Sequence, residues 1–304
     1  MYDVLCVGTT TIDLYYKGSS LHHDDAHFNL AVGGKYYADF FYEGIGGGAT
    51  NVAIGIAKQG GRAALYTEIG QNSFKRIIQD KLEETGVHFQ HCQYTHDYYN
   101  VSSVLLTSKG ERTVINYRDH KSTFLHTLPD DKIFGNAKVL YMGNLAHVSE
   151  WHRARLLKRA KDKKLTTIVT LGATECRKSH TLIDDILRNT DILIINEYET
   201  ADLIRMPVQK IDWTKPLHLE HSHLPLPPVI IVTRGAKGSV CLSGQIVINV
   251  DSVKPHEIID TSGAGDGYVA GFIHGYIKNN GDIHKAMLAG SSYAAKKLSH
   301  LGAN

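Results

Sequence analysis

A chain of 304 residues, 42% hydrophobic and 21% charged, has the balance of a globular α/β protein and room for one large domain or two ordinary ones. Its 33 basic and 31 acidic residues nearly cancel and no basic run stands out, which speaks against a nucleic-acid surface. No apolar run is long enough for a membrane span, the first residues lack a secretory signal, and the four scattered cysteines form no CxxC pair, so a reducing cytoplasm is the expected setting.

Residues 4–8, Val-Leu-Cys-Val-Gly, are a short apolar run closed by glycine, the mark of a strand buried in a parallel sheet. Residues 9–13 fall at its C-terminal end, where open α/β sheets bind ligands. Asp13 is placed to accept hydrogen bonds from substrate hydroxyls, with a turn aspartate as the plain alternative. Residues 14–41 mix tyrosines with His22, His23, Asp24, Asp25 and His27. That spacing matches no zinc pattern and reads as a solvated loop. Gly33-Gly34-Lys35 is not a Walker A loop, because no Ser or Thr follows the lysine and no strand precedes it.

Gly46, Gly47 and Gly48 let backbone approach a ligand closely. A helix of small residues begins near Thr50, carries Asn51 on its first turn, and stops at Gly60-Gly61. Residues 64–70 read as a strand and residues 74–85 as an amphipathic helix with Phe74, Ile77, Ile78 and Leu82 on one face. Residues 101–117 read as a hairpin turning at Lys109-Gly110. With residues 14–41 it predicts a small β-sheet standing off the main one, such as a lid.

From Val139 strand-like and helical stretches alternate: strand 139–142, helix 151–161, strand 167–171, helix 181–187, strand 192–196. Near-continuous apolar strands in that rhythm predict a parallel, doubly wound sheet. Asn196 and Glu199 sit on its ligand side. Residues 208–228 are irregular and proline-rich, and their His218, His221 and His223 again suggest a surface loop more than a metal site. Residues 229–238 form a strand ending in a glycine turn, Thr233-Arg234-Gly235 to Gly238, with two further strands beyond and a last helix over 283–298.

The most informative stretch runs from Asp260 through Thr261, Ser262, Gly263, Ala264 and Gly265 to Asp266, and continues into an apolar run with helical spacing. It is a loop feeding a helix N-terminus, whose unpaired N–H groups attract phosphate. A carboxylate in that first turn is repulsive to phosphate unless it has a role such as taking a proton from an attacking hydroxyl.

Gly47-Gly48-Ala49-Thr50-Asn51-Val52-Ala53, followed by Gly60 and Gly70, and then Asp260-Thr261-Ser262-Gly263-Ala264-Gly265-Asp266, resemble the two signatures of the ribokinase-like (PfkB) carbohydrate kinase family, in the right order and over nearly the whole chain. The resemblance implies an α/β fold with a doubly wound, mostly parallel sheet and helices on both faces. It implies one kinase domain over 1–304 with a lid from about 14–42 and 95–119. It further implies ATP and Mg2+ as cofactors, with K+ in many members. Asp266 resembles the catalytic base, and the amides of Gly263, Ala264 and Gly265 the anion hole. Asp13, Gly46, Gly47 and Asn51 fall at substrate-binding positions. Asn196, Glu199, Thr233, Gly235 and Gly238 fall on the nucleotide side, Glu199 meeting magnesium through water and Asp260 a monovalent cation.

The chain departs from the family pattern at Gly70-Gln71-Asn72, where an aspartate is expected in place of Asn72, and at Asp119-His120-Lys121, where Gly-Ala-Asn often follows the arginine. Arg118 is a further substrate candidate, with a lid salt bridge as the alternative. The reading favours transfer of the ATP γ-phosphate to a primary hydroxyl of a ribose- or fructose-like sugar. A nucleoside kinase is the alternative, with Tyr15, Tyr16, Phe40, Phe41 and Tyr42 as stacking candidates. Cations for a sugar phosphate would come from Lys35, Arg118 and Lys121, and a non-catalytic binding regulator is the remaining class. Expected partners are a small-molecule sugar or nucleoside and a second copy through the lid, with no nucleic acid and no membrane.

Overall fold

A computed structural model of the chain describes all residues except 1, 25–26, 108–110, 146, 217–224, 262, 301 and 303–304, together with the side chain of residue 180. Asp25, the Lys109-Gly110 turn, His218, His221, His223 and Ser262 therefore lie outside the described residues.

Strand β1 (Val4–Val7) shows why the fold has three layers. Its alternate side chains point to opposite faces, so Leu5 and Val7 join one apolar cluster while Val4 and Cys6 join a second. Strands β2 (Thr11–Lys17) and β3 (Phe40–Gly46) leave the main sheet as an antiparallel pair, and helix α1 (Gly48–Lys58) brings the chain back. β4 (Ala63–Tyr66) lies parallel to β1. β5 (Glu68–Gln71), helix α2 (Lys75–Glu84) and β6 (Gln93–His96) follow, with β5 and β6 forming a two-stranded sheet. β7 (Asn100–Leu106) runs parallel to β2 and antiparallel to β8 (Arg112–Arg118), giving a separate four-stranded sheet of order β3-β2-β7-β8.

Thereafter β9 (Val139–Met142), α3 (Glu150–Asp162), β10 (Thr166–Val169), the short α4 (Ala173–Cys176), α5 (His180–Arg188), β11 (Ile192–Asn196), α6 (Glu197–Ile204) and β12 (Val229–Thr233) alternate strand and helix. β13 (Ser239–Ser243) and β14 (Ile246–Val250) close the sheet antiparallel, and α7 (Ala264–Lys278) and α8 (Ile283–Leu298) end the fold. The eight-stranded order is β14-β13-β12-β11-β10-β9-β1-β4, parallel from β12 to β4. Side chains of α3, α5 and α6 fill one core, and those of α1, α2, α7 and α8 the other. The order reverses between β1 and β9, which opens a crevice at their C-terminal ends.

Two local expectations differ from what forms. The run 64–70 is not one strand but two, broken at Thr67. Thr10 donates to the Thr67 hydroxyl at 3.1 Å, and the Thr67 carbonyl accepts from the Gln93 amide at 2.9 Å, which turns the chain toward β6. Asp13 is not the turn aspartate of the plain alternative, since strand β2 already includes it.

Candidate active site

Helices α1 and α7 carry the two most informative side chains, and small residues let them touch. A Cβ on Gly55 would lie 2.6 Å from the Ala270 Cβ, so only glycine permits this crossing. Gly47 starts α1 at φ +94°, where a Cβ would meet the Thr9 carbonyl oxygen at 2.3 Å. Gly263 caps α7 in the left-handed region at φ +71°. Asn51 and Asp266, each in the first turn of its helix, thereby meet. Asn51 Nδ2 donates to Asp266 Oδ2 at 2.6 Å. Only the NH2 group can donate to a carboxylate, which leaves Asn51 Oδ1 as a free acceptor, buried and with no hydrogen-bond partner.

Burial pushes the Asp266 carboxyl up to about 6; the Asn51 hydrogen bond opposes this, the charge of Asp13 adds to it, and Lys297 opposes it. Asp13 is also raised by burial, against the neighbouring Thr11 and Ser102 hydroxyls. Thr11 Oγ1 donates to Asp13 Oδ1 at 2.7 Å. Asp13 faces Gly44 on one side and Ser102 on the other, and Ser102 faces Asn116, so Asp13, Ser102 and Asn116 share one face of the four-stranded sheet. Ser102 Oγ donates to Asn116 Oδ1 at 2.8 Å. Gly46 makes room for this cluster, for a Cβ there would sit 2.0 Å from Asp13 Oδ2. Two carboxylates close enough to interact, both kept from easy ionisation, have the chemistry that a proton acceptor beside a hydroxyl anchor needs.

The raised Asp266 carboxyl sets an expected pH dependence. If Asp266 is the proton acceptor, kcat/KM should fall as pH drops through about 6. Asn51→Ala removes the hydrogen bond that favours the ionised form, so the acid limb should move to higher pH. A pH–rate profile with a limb unmoved by that substitution would separate Asp266 from the titrating group.

Among the residues expected to meet the nucleotide, β11 and β12 end level with each other and pair Asn196 with Thr233. Asn196 caps α6, its Oδ1 accepting from the amides of Tyr198 and Glu199 at 2.9 and 2.8 Å, while Glu199 Oε2 accepts from the Asn196 amide at 2.9 Å. The Asn-x-x-Glu pair is thus a reciprocal cap that occupies one oxygen of Glu199. Burial raises the Glu199 carboxyl above its usual range, against the hydrogen bond from the Asn196 amide. Gly235 and Gly238 take φ of +55° and +83° around a single 3₁₀ turn. Gly263, Ala264 and Gly265 open α7; the Ala264 amide reaches back to the Thr261 carbonyl at 3.5 Å, and a Cβ on Gly265 would meet no atom within 4 Å.

Other expected residues sit apart from the Asn51–Asp266 contact. Arg118 is exposed at the end of β8, level with Asn100, whose amide donates to the Thr10 carbonyl at 2.8 Å. Asp260 is buried at 1% exposure, with Arg112 Nη1 at 3.7 Å and the Gly302 amide donating at 3.0 Å. Asn72 donates to the Tyr98 carbonyl and accepts from the Phe74 amide at 2.8 Å. An aspartate could not make the first of these bonds, which accounts for the asparagine. Tyr16 and Phe41 pair on the sheet face opposite Asp13, whereas Tyr15 and Tyr42 pack against each other on the Asp13 face. Phe40 flanks a separate 550 Å³ cavity with Lys17 and His22. His22, His23 and Asp24 show no group of three metal-ligating side chains, and none exists among the described residues. Ser102, Asn116 and Arg112 are not legible in the sequence as site residues, since strand pairing and long-range side-chain contacts bring them in.

The family model described as "pfkB family carbohydrate kinase" matches residues 1–304. A nucleoside kinase of Methanocaldococcus jannaschii is 24% identical over 304 residues, covering 97% of this chain and 90% of that protein. Probable fructokinase-4 of Arabidopsis thaliana is 28% identical over 263 residues, covering 81% of this chain and 78% of that protein. The solved structure of Arabidopsis thaliana ribokinase complexed with ribose and ATP superposes with a TM-score of 0.81 at 20% identity, covering 100% of this chain and 95% of that one. With its doubly wound sheet and its two glycine-rich helix starts meeting at Asn51 and Asp266, the chain belongs to the pfkB family of carbohydrate kinases, enzymes that transfer phosphate to an alcohol group.

Proposed function

We propose that this kinase transfers the γ-phosphate of ATP to a primary hydroxyl of a free sugar of the ribose or fructose type. The observation that carries the reading is Asn51: it is held to Asp266 by one end of its amide and presents a buried, unpartnered oxygen with the other. A buried acceptor of that kind calls for a hydroxyl donor, and a polyol anchored there and on Asp13 lies against Asp266. Asp266 takes the hydroxyl proton as the new bond forms. The amides of Gly263, Ala264 and Gly265 hold charge on the transferring group. Magnesium carried by the nucleotide supplies further charge neutralisation, and Glu199, with one oxygen outside its cap, is the residue that would meet its hydration shell. The four-stranded sheet acts as a lid that keeps water from competing as acceptor.

A nucleoside is the second acceptor class, favoured by the name of the Methanocaldococcus jannaschii relative. Of the stacking candidates, Tyr16 and Phe41 lie on the face away from Asp13, and Tyr15 on the Asp13 face is buried against Tyr42, which favours the sugar. ADP release with MgATP across sugars, sugar phosphates and nucleosides decides between them. Turnover confined to nucleosides would sink the sugar assignment, and ligand-induced thermal stabilisation without any ADP release would sink catalysis itself.

The lid sheet also suggests how two copies would pair. Phe41, Ile115 and Tyr117 are 56%, 60% and 57% exposed on the face opposite Asp13. A second lid covering that face would bury these side chains. Sedimentation should show a dimer that F41D with I115D converts to a monomer; a wild-type monomer would end this part of the proposal.

A further inference from the structure

Asp260 and Thr261 precede the helix start that carries the proposed anion hole, and a residue of the four-stranded sheet faces both. Arg112 opens β8, on the same sheet face as Asn116 and Asp13. Its Nη1 lies 3.7 Å from Asp260 Oδ1 and donates to Thr261 Oγ1 at 3.0 Å. Asp260 is tied from the other side, since its Oδ2 accepts from the Gly302 amide at 3.0 Å and its backbone neighbour Ile259 donates to the Leu298 carbonyl at 2.8 Å. The lid touches the same segment a second time, because a Cβ on Gly302 would come within 3.2 Å of the Tyr42 ring. The Thr261 carbonyl in turn receives the Ala264 amide. A continuous path therefore leads from the lid guanidinium through Thr261 to the first turn of α7.

A carboxylate at 1% exposure is costly without charged or hydrogen-bonded partners, so the loop conformation depends on what faces Asp260. We propose that Arg112 is a positioning residue for phosphoryl transfer: with the lid seated, it fixes Asp260 and Thr261 and so sets the direction of the amides of Gly263, Ala264 and Gly265. The lid then does more than exclude water, because it completes the site electrostatically from a strand outside the main sheet. The inference rests on the reading that those amides hold the transferring phosphoryl group.

R112Q and R112K test it, assayed as full-length protein with saturating MgATP and the acceptor giving the highest wild-type turnover. R112Q should lower kcat by about 30-fold, in the range expected for a small displacement of transition-state donors, with the acceptor KM within about twofold. R112K should fall between, and millimolar guanidinium should restore part of the R112Q rate but none of the loss in D266N. ADP with aluminium fluoride, a mimic of the transferring group, should bind R112Q more weakly while ADP alone binds as to wild type. That binding measurement reads the loop even where no acceptor turns over, so a failed acceptor assignment does not mask the result. A lower melting temperature with wild-type kcat and wild-type aluminium fluoride binding would make Arg112 a purely structural residue and overturn the proposal. Should R112Q not fold, R112K with wild-type kcat and wild-type binding would overturn it equally.

Discussion

Asp266→Asn should lower kcat by about a thousandfold, the range spanned by loss of a positioned general base, while ATP and acceptor still bind. The substitution is conservative in shape. The new amide oxygen still accepts from Asn51 Nδ2, so the helix starts of α1 and α7 keep their contact. What is lost is the ability to take a proton. The same substitution should stabilise the fold. Asp266 has a folded-state pKa raised to about 6, so its ionisation works against folding at neutral pH. The neutral variant should gain about 1 kcal/mol at pH 7.5, discounted for the partial exposure of the group, and the gain should shrink as pH falls toward 5. Lost turnover with raised stability is the signature of a functional carboxylate. Near-normal kcat in the variant would remove Asp266 from the mechanism.

Gly46→Ala should impair use of the acceptor, for a steric reason. The added Cβ would lie 2.0 Å from Asp13 Oδ2 and 2.8 Å from Thr11 Oγ1, so Asp13 must leave the position in which Thr11 and Ser102 hold it. Overpacking of this kind costs about 1–3 kcal/mol of stability. The larger consequence is for the acceptor, whose anchor moves. kcat/KM for the acceptor should fall by about 100-fold, chiefly through KM, while the affinity for ATP stays near wild type. Isothermal titration with each ligand separates the two. Equal loss of nucleotide and acceptor binding would mean that the helix start of α1 had collapsed, and unchanged kcat/KM would mean that Asp13 does not touch the acceptor.

The chain displays its main sheet openly, because parallel strands buried on both faces have to be continuously apolar, as residues 192–195 show. The helix starts are equally legible. Gly47 and Gly263 occupy backbone conformations that other residues resist, and the polar residues beside them have few structural reasons to be there. Asn51 and Asp266 therefore stand out from sequence alone, although their direct contact depends on the Gly55–Ala270 crossing, which no local pattern announces. The supporting residues are hidden for the same reason. Ser102 and Asn116 reach Asp13 through strand register, and Arg112 reaches Asp260 from a strand exposed along its length. The pattern break at Asn72 shows in the sequence, but its hydrogen bond to the Tyr98 carbonyl, which depends on the fold, does not. Asn196 and Glu199 point in sequence to the nucleotide, but part of their pairing is explained by the reciprocal cap at the start of α6.

The most direct test of the account is the identity of the phosphorylated product. Wild-type protein incubated with MgATP and a free pentose or hexose should yield a phosphomonoester whose phosphorus NMR signal is split by the two protons of one methylene group, as a primary hydroxyl requires. Asn51→Ala and Asp266→Asn should each suppress that signal. A phosphorus signal on a secondary carbon, or a product formed equally well by Asp266→Asn, would contradict the central claim that Asn51 and Asp13 present a primary hydroxyl to Asp266.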